Sequence, residues 1–203
     1  MKLYGAPYPA PNPRRVRIFL AEKGIQLEET PVDMAKREHK SSDYRAMNSL
    51  GQVPTLELSD GTAISETVAI CRYFEETHPE PPLFGTTAIE KALVDMWVRR
   101  VEFVVMGPVG NYWRHAHPRT AALLNQFKDF GESNQETYAG AQKWLDRELA
   151  NREFVAGADF TIADICLLTT VDFAKWIGLP IDPQHENLTA WHRRVSTRPT
   201  ARA

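Results

Sequence analysis

The run Gly51-Gln52-Val53-Pro54-Thr55-Leu56, followed by Asp60-Gly61 and Ile64-Ser65-Glu66-Thr67, constrains this chain more than any other stretch. Thr55 to Leu58 alternates as a half-buried strand does. Asp60-Gly61 is a two-residue hairpin signal, so Ala63-Ile64 is the expected return strand. Pro54 removes a ladder donor and therefore belongs at a strand start or edge, where the backbone of Val53 can pair with an extended peptide. A cis Val53-Pro54 bond is compatible with that role, because an X-Pro bond costs little in the cis form. A plain turn proline is the competing reading. Ser65 is the expected N-cap of the helix that follows, over Val68 to Phe74. First-turn N–H groups beside a hydroxyl can take a carboxylate, and Glu66 an ammonium, so one short site could grip both charges of an α-amino acid. The bland alternative is a polar helix cap and nothing more.

Upstream, Lys2-Leu3-Tyr4 reads as a first strand and Gly5 to Pro13 as a stiff loop with a proline at every second residue from Pro7. Asn12 is expected as an N-cap and Pro13 as the first helical residue. Val16, Phe19 and Leu20 trace the buried face, Gly24 stops the helix, and Arg14, Arg15 and Arg17 are expected outside. Gln26 to Val32 is an edge-like second strand because of Pro31, which completes a βαβ unit. Glu38-His39-Lys40 then precedes a short helix around Ser42 to Met47.

Pro79-Glu80-Pro81-Pro82 is the clearest domain boundary, and beyond it the pattern is helical throughout. Expected helices cover Glu90 to Val105, interrupted at Gly107-Pro108, then Asn134 to Leu149, Ile165 to Ile177 and Asn187 to Val195. Asn111 to Pro118, with Tyr112, His115 and His117, reads as a helix break walling an apolar pocket; its two histidines lack the i,i+4 spacing of a zinc pair. Phe160-Thr161-Ile162-Ala163-Asp164 is a capping box with Asp in place of Glu, which assigns Asp164 to folding. A formal net charge of -2 argues against nucleic-acid and anionic-membrane partners. No apolar run approaches the ~20 residues that span a bilayer, and the N-terminus lacks a signal-peptide pattern. Cys71 and Cys166 lie in apolar helical patterns, as inert buried thiols of a reducing, cytoplasmic protein would.

Leu50-Gly51-Gln52-Val53-Pro54 and Ile64-Ser65-Glu66-Thr67-Val68-Ala69-Ile70 resemble the glutathione-site motifs of cytosolic glutathione transferases. The resemblance implies an α/β thioredoxin-like N-terminal domain over 1–79, a linker at 80–87, and an all-α helical-bundle domain over 88–203 that forms the electrophile pocket. It implies glutathione as co-substrate, with no metal. Val53 would pair with the glutathione cysteine, Glu66 and Thr67 would bind the γ-glutamyl end beside Gln52, and His39 with Lys40 would meet the glycine carboxylate. Where that family carries a Tyr, Ser or Cys before the first helix, this chain has Ala10. Its Ala-Pro-Asn opening is similar to a bacterial and fungal subclass that uses the helix terminus and a histidine-held water. On that likeness Asn12 and His115 are the catalytic candidates with Tyr8 behind them, and Tyr8 and Tyr112 could wall the electrophile site. The implied function is thiol activation for attack on small hydrophobic electrophiles, a detoxifying transferase acting as a homodimer paired through the thioredoxin-like domain and the start of the helical one. Two alternatives remain at this stage: a glutathione-dependent disulfide or peroxide reductase, and a non-catalytic binding module of the same fold.

Overall fold

All four strands precede residue 66, as the switch of hydrophobic period requires. The protein was analysed as a computed structural model that describes residues 1–203. It divides into one unit of Met1–Leu83 with Thr200–Ala203, and a second of Phe84–Pro199.

In the first unit β1 (Lys2–Gly5), β2 (Glu29–Pro31), β3 (Thr55–Glu57) and β4 (Ala63–Ser65) form a sheet ordered β2-β1-β3-β4. β1 runs parallel to β2 and antiparallel to β3, and β3 pairs antiparallel with β4. Pro31 sits on the edge strand, where a missing N–H removes no ladder bond. The hairpin closes as expected, with the Thr62 N–H donating to Asp60 Oδ1 at 2.9 Å. Three helices complete the unit: α1 (Pro11–Glu22), α2 (Ser42–Met47) and α3 (Thr67–Thr77). Leu3, Val16, Phe19, Leu56, Ile70 and Phe74 are fully enclosed. This mixed sheet with its helices is thioredoxin-like.

The Pro-rich passage expected as a linker is shared between the units. Lys23 Nζ donates to Pro81 O at 2.6 Å and pairs with Glu75 Oε2 at 2.5 Å, while Glu75 Oε1 accepts from the Leu83 N–H at 3.0 Å. Those bonds bind residues up to 83 to the first unit. The chain's last residues return to it as well: Arg14 Nη2 donates to Ala201 O at 2.8 Å, and the Thr200 hydroxyl donates to Glu22.

The second unit is helical: α4 (Ala88–Arg100), α5 (Gly107–His115), α6 (Lys128–Leu149), α7 (Ile162–Trp176) and α8 (Glu186–Ser196). The interruption expected at Gly107-Pro108 is instead a continuous passage. A π-helical stretch, Val101–Met106, joins α4 to α5, and its wider hydrogen-bond pattern, with the Gly107 N–H on Glu102 O, accommodates Pro108, which has no N–H to donate. Asn111 to His115 are accordingly helical rather than part of a break. α7 is buried along most of its length, behind the capping box at Thr161 and Asp164.

Candidate functional site

The sheet register gathers the first-unit candidates at one end. Tyr4 of β1 and Ser65 of β4 both lie opposite Thr55, the first residue of β3. The end of β1, the start of β3 and the end of β4 therefore emerge together. So do the loop into α1, the Val53-Pro54 bond and the Glu66-Thr67 entry into α3.

Val53-Pro54 is cis. No main-chain hydrogen bond within the protein forms at Val53, which leaves its N–H and C=O for another chain. The turn before it is held from below: Gln52 O accepts from Tyr44 Oη at 2.8 Å and from Asn48 Nδ2 at 3.0 Å, and the Gln52 side chain stays exposed. Gly51 has φ +56°, and a Cβ there would fall 2.5 Å from His39 O. Glycine is thus required where this turn meets the His39 segment.

His39 and Lys40 lie in a 3-10 turn, Glu38–Lys40. Lys40 Nζ donates to Gly51 O at 2.6 Å and Leu50 O at 3.1 Å, so it buttresses the turn. His39 Nδ1 is buried with no hydrogen-bond partner. Burial, then the charges of Lys40, Arg37 and Arg45, hold its pKa below the usual histidine range, so the ring is neutral at pH 7.

Ser65 ends β4 and does not cap α3. The cap position belongs to Glu66, whose φ of +69° is a strained conformation for a side chain bearing a Cβ. The turn into α3 thereby leaves the Glu66 side chain exposed and makes no side-chain bond to the helix end. Thr67 opens the helix, and its Oγ1 accepts from Arg15 Nη1 at 2.9 Å. Arg15, expected outside, is 1 % exposed. It lies three and four residues before Ile18 and Phe19, both buried, so it shares the face of α1 that enters the core. That spacing was the available signal.

Asn12 does not cap α1. The helix begins at Pro11 with Ala10 at the cap, which places Asn12 in the first turn with Oδ1 buried and unpartnered. Tyr8 is exposed in the preceding loop. Tyr4 is committed elsewhere: its hydroxyl donates to Glu57 Oε2 at 2.8 Å, which raises its pKa above the ordinary tyrosine value.

In the second unit His115 closes α5 between two rings, Phe127 at 5.7 Å and Phe130 at 5.5 Å. Its Nδ1 is also buried without a partner. Tyr112 makes an edge contact with His117 at 6.0 Å. No group of three or more His, Cys, Asp or Glu residues is arranged to hold a metal.

A thioredoxin-like sheet followed by an all-helical unit defines the two-domain class to which this protein conforms. The chain belongs to the glutathione S-transferase family. The family model for the glutathione S-transferase N-terminal domain matches residues 10–77, and that for the C-terminal domain matches 118–199. Glutathione S-transferase 2 of Saccharomyces cerevisiae is 35% identical over the whole of this chain and 88% of its own length. The crystal structure of Gtt2 from Saccharomyces cerevisiae superposes with a TM-score of 0.94 at 35% identity, covering 100% of this chain and 99% of that one. A glutathione S-transferase domain-containing protein of Marinobacter aquaeolei gives a TM-score of 0.92 at 37% identity, covering 98% and 99% of the two chains.

Proposed function

We propose that this protein is a glutathione transferase that works without a Tyr, Ser or Cys at the sulfur. One observation carries the reading. Glu75 Oε2 apart, which pairs with Lys23, the buried side-chain atoms that lack a hydrogen-bond partner are Asn12 Oδ1, His39 Nδ1, His115 Nδ1 and Tyr138 Oη. All but Tyr138 are candidates for binding or catalysis. Buried polar atoms are costly unless a ligand or water completes them.

In this reading the main chain of Val53 pairs with the cysteine of glutathione, with Gln52 beside it. Glu66 takes the γ-glutamyl ammonium, and its carboxylate sits on the Thr67 end of α3, where the helix dipole and Arg15 favour an anion. His39 donates to the glycine carboxylate, and Lys40 holds the turn between them. The thiol lies over the first turn of α1. A half-turn of the Asn12 amide would present Nδ2 as a donor to sulfur, and the helix dipole adds to it, so the thiolate is favoured. The thiol proton leaves to water. The sulfur lone pair then forms a bond to an electrophilic carbon, and the leaving group departs with the electrons of the broken bond. Positioning and thiolate activation supply the rate. The helical domain, from residue 88 on, would supply an electrophile pocket with Tyr112, and Tyr8 is a further candidate. A homodimer detoxifying hydrophobic electrophiles in the cytoplasm is the physiological form of the proposal. Two buried free cysteines suit a reducing compartment.

Thiolate absorbance of bound glutathione, titrated against pH, tests the centre of this reading. The Asn12→Ala variant should raise the bound thiol's pKa and slow conjugation of a chlorinated dinitrobenzene by about tenfold, the scale of one lost charge-assisted hydrogen bond. An unaltered titration curve removes Asn12 from the mechanism. Turnover of a hydroperoxide in place of the aromatic halide would make the protein a reductase instead.

A further inference from the structure

Leu3 and its cross-strand partner Leu56 point into the core of the first unit. Successive strand residues alternate in direction, so Tyr4 faces the other side, together with its partners Thr30 on β2 and Thr55 on β3. α2 packs on that side. Its Tyr44 ring meets the Tyr4 ring edge-on at 6.2 Å, and the Tyr44 hydroxyl lies 3.0 Å from Thr55 Oγ1. Between α2 and the edge strand β2 a cleft of about 330 Å3 remains, at the lower end of the small-molecule range. Its walls are mostly apolar: Pro31 and Val32 after the strand's start, Met47 at the end of α2, and the two tyrosine rings, whose hydroxyls are bonded elsewhere. Charge at the cleft has one sign. Glu38 and Asp43 line it, and no Lys, Arg or His does. Each acid spends one oxygen locally: Glu38 Oε2 accepts from the Asp33 N–H at 2.7 Å, and Asp43 Oδ1 from the Ser42 hydroxyl at 3.2 Å. Neither is in an ion pair. Bases nearby are engaged elsewhere, Arg17 with Glu29, Lys36 with Asp33, and Lys40 with the carbonyls of Leu50 and Gly51. Arg37 and Arg45 do not line the cleft. The bond to Glu57, then burial and the charges of Glu57 and Glu28 raise the Tyr4 pKa, so the negative field extends to the ring that walls the cleft.

We propose that this cleft binds a small organic cation, an alkylammonium whose head is held by Glu38 and Asp43 and whose chain lies along Pro31, Val32 and Met47. Charge complementarity selects a cation over an anion, and the apolar walls select an alkyl chain. The Tyr4 ring adds cation–π attraction. Two carboxylates are too few to hold a metal ion, and no larger group of ligating side chains is assembled. A partner's β-strand is a poor occupant, because β2 offers three residues and the last is a proline without an N–H. The occupant is therefore a free amine rather than a peptide. The site lies wholly within the first unit and does not depend on glutathione chemistry.

Calorimetry on the full chain at low ionic strength, with hexylammonium chloride, hexanol and hexanoate, tests the proposal. Hexylammonium should bind about tenfold more tightly than hexanol, the scale of one charge-assisted hydrogen bond, and hexanoate more weakly than either. Salt at ~0.15 M should weaken hexylammonium and leave hexanol unchanged. Glu38→Gln/Asp43→Asn keeps the side-chain volumes and an acceptor for the Asp33 N–H. In that variant hexylammonium and hexanol should bind within about twofold of each other. Circular dichroism checks its fold. Asp43→Lys alone leaves the Glu38 bond in place, puts a cation at the rim, and should remove the preference as well. A wild type that binds hexanol and hexylammonium equally overturns the proposal. An ammonium preference that survives both variants also overturns it, by assigning the amine to another acid such as Glu66. Tighter binding of a lysine-bearing peptide than of hexylammonium would make the cleft a protein contact and reject the free amine.

Discussion

Arg15 shows what a single residue adds to a site and why it escapes a reading by type. A run of three arginines near a helix start suggests a solvated face, yet Arg15 is buried and donates to Thr67 at 2.9 Å. Its charge lies under the entry to α3, where it would favour the γ-glutamyl carboxylate that the proposed binding mode seats there. Arg15→Met keeps much of the volume but removes the donor and the charge. Glutathione affinity should fall by about tenfold to a hundredfold, the 1–3 kcal/mol range of a charged hydrogen bond. Calorimetry reads the affinity, and thermal unfolding separates it from lost stability. A variant that unfolds earlier but binds glutathione with unchanged affinity would reduce Arg15 to a packing residue. That Val53, Glu66 and Thr67 come together at one end of the sheet was legible in the sequence, because it depends on main chain and local order. The orphaned nitrogens of His39 and His115 were not, since burial of one ring atom depends on segments far away in the chain.

Elements were legible where their signals are local. The hairpin at Asp60-Gly61, the short α2 and the capping box of α7 all follow from residues within one turn of each other. Starts and interruptions differ from expectation where packing outweighs propensity: Asn12 and Ser65 are good caps by type, but the chain enters α1 at Pro11 and α3 at Thr67. The expected break at Gly107-Pro108 fails for a similar reason, because a π-helical stretch absorbs the proline. α7 depends most on its cap. The Asp164 carboxylate accepts from the Val155 and Thr161 N–H groups, the Thr161 hydroxyl and Trp191 Nε1, the last at 2.8 Å. Asp164→Asn turns an NH2 toward some of these donors, and should cost about 3 kcal/mol in denaturant unfolding. Burial dominates the titration: it pushes Asp164 up to about 6, against the lowering effect of those four donors. The folded state therefore keeps this proton where the unfolded chain has already lost it. The contribution is fully present below about pH 4 and is lost as pH rises toward 6, so the stability gap between wild type and variant should narrow across that window. A gap that widens from pH 4 to 6 would mean that the donors, not burial, set the titration.

At the scale of the whole molecule the open question is what covers α4. Ile89 and Leu93 on α4, with Phe103 and Val104 in the π-helical stretch, are exposed. Residues 89 to 104 run for about 24 Å at the helical rise, long enough to contribute to an interface of stable size but not to furnish one alone. An apolar stripe of that length fits pairing about a twofold axis, as in the homodimer proposed above. Such an interface is self-complementary, so any substitution in it counts twice. Leu93→Glu would bring two carboxylates to the contact and bury at least part of each without a partner, a cost of several kcal/mol. Sedimentation at micromolar concentration should give the mass of two 23.0 kDa chains for the wild type and of one for the variant. Helical circular dichroism should be the same in both, because Leu93 makes no part of the core. A wild type that sediments as a single chain rejects the dimer. If both proteins remain dimeric, pairing uses another surface and the stripe needs a different occupant.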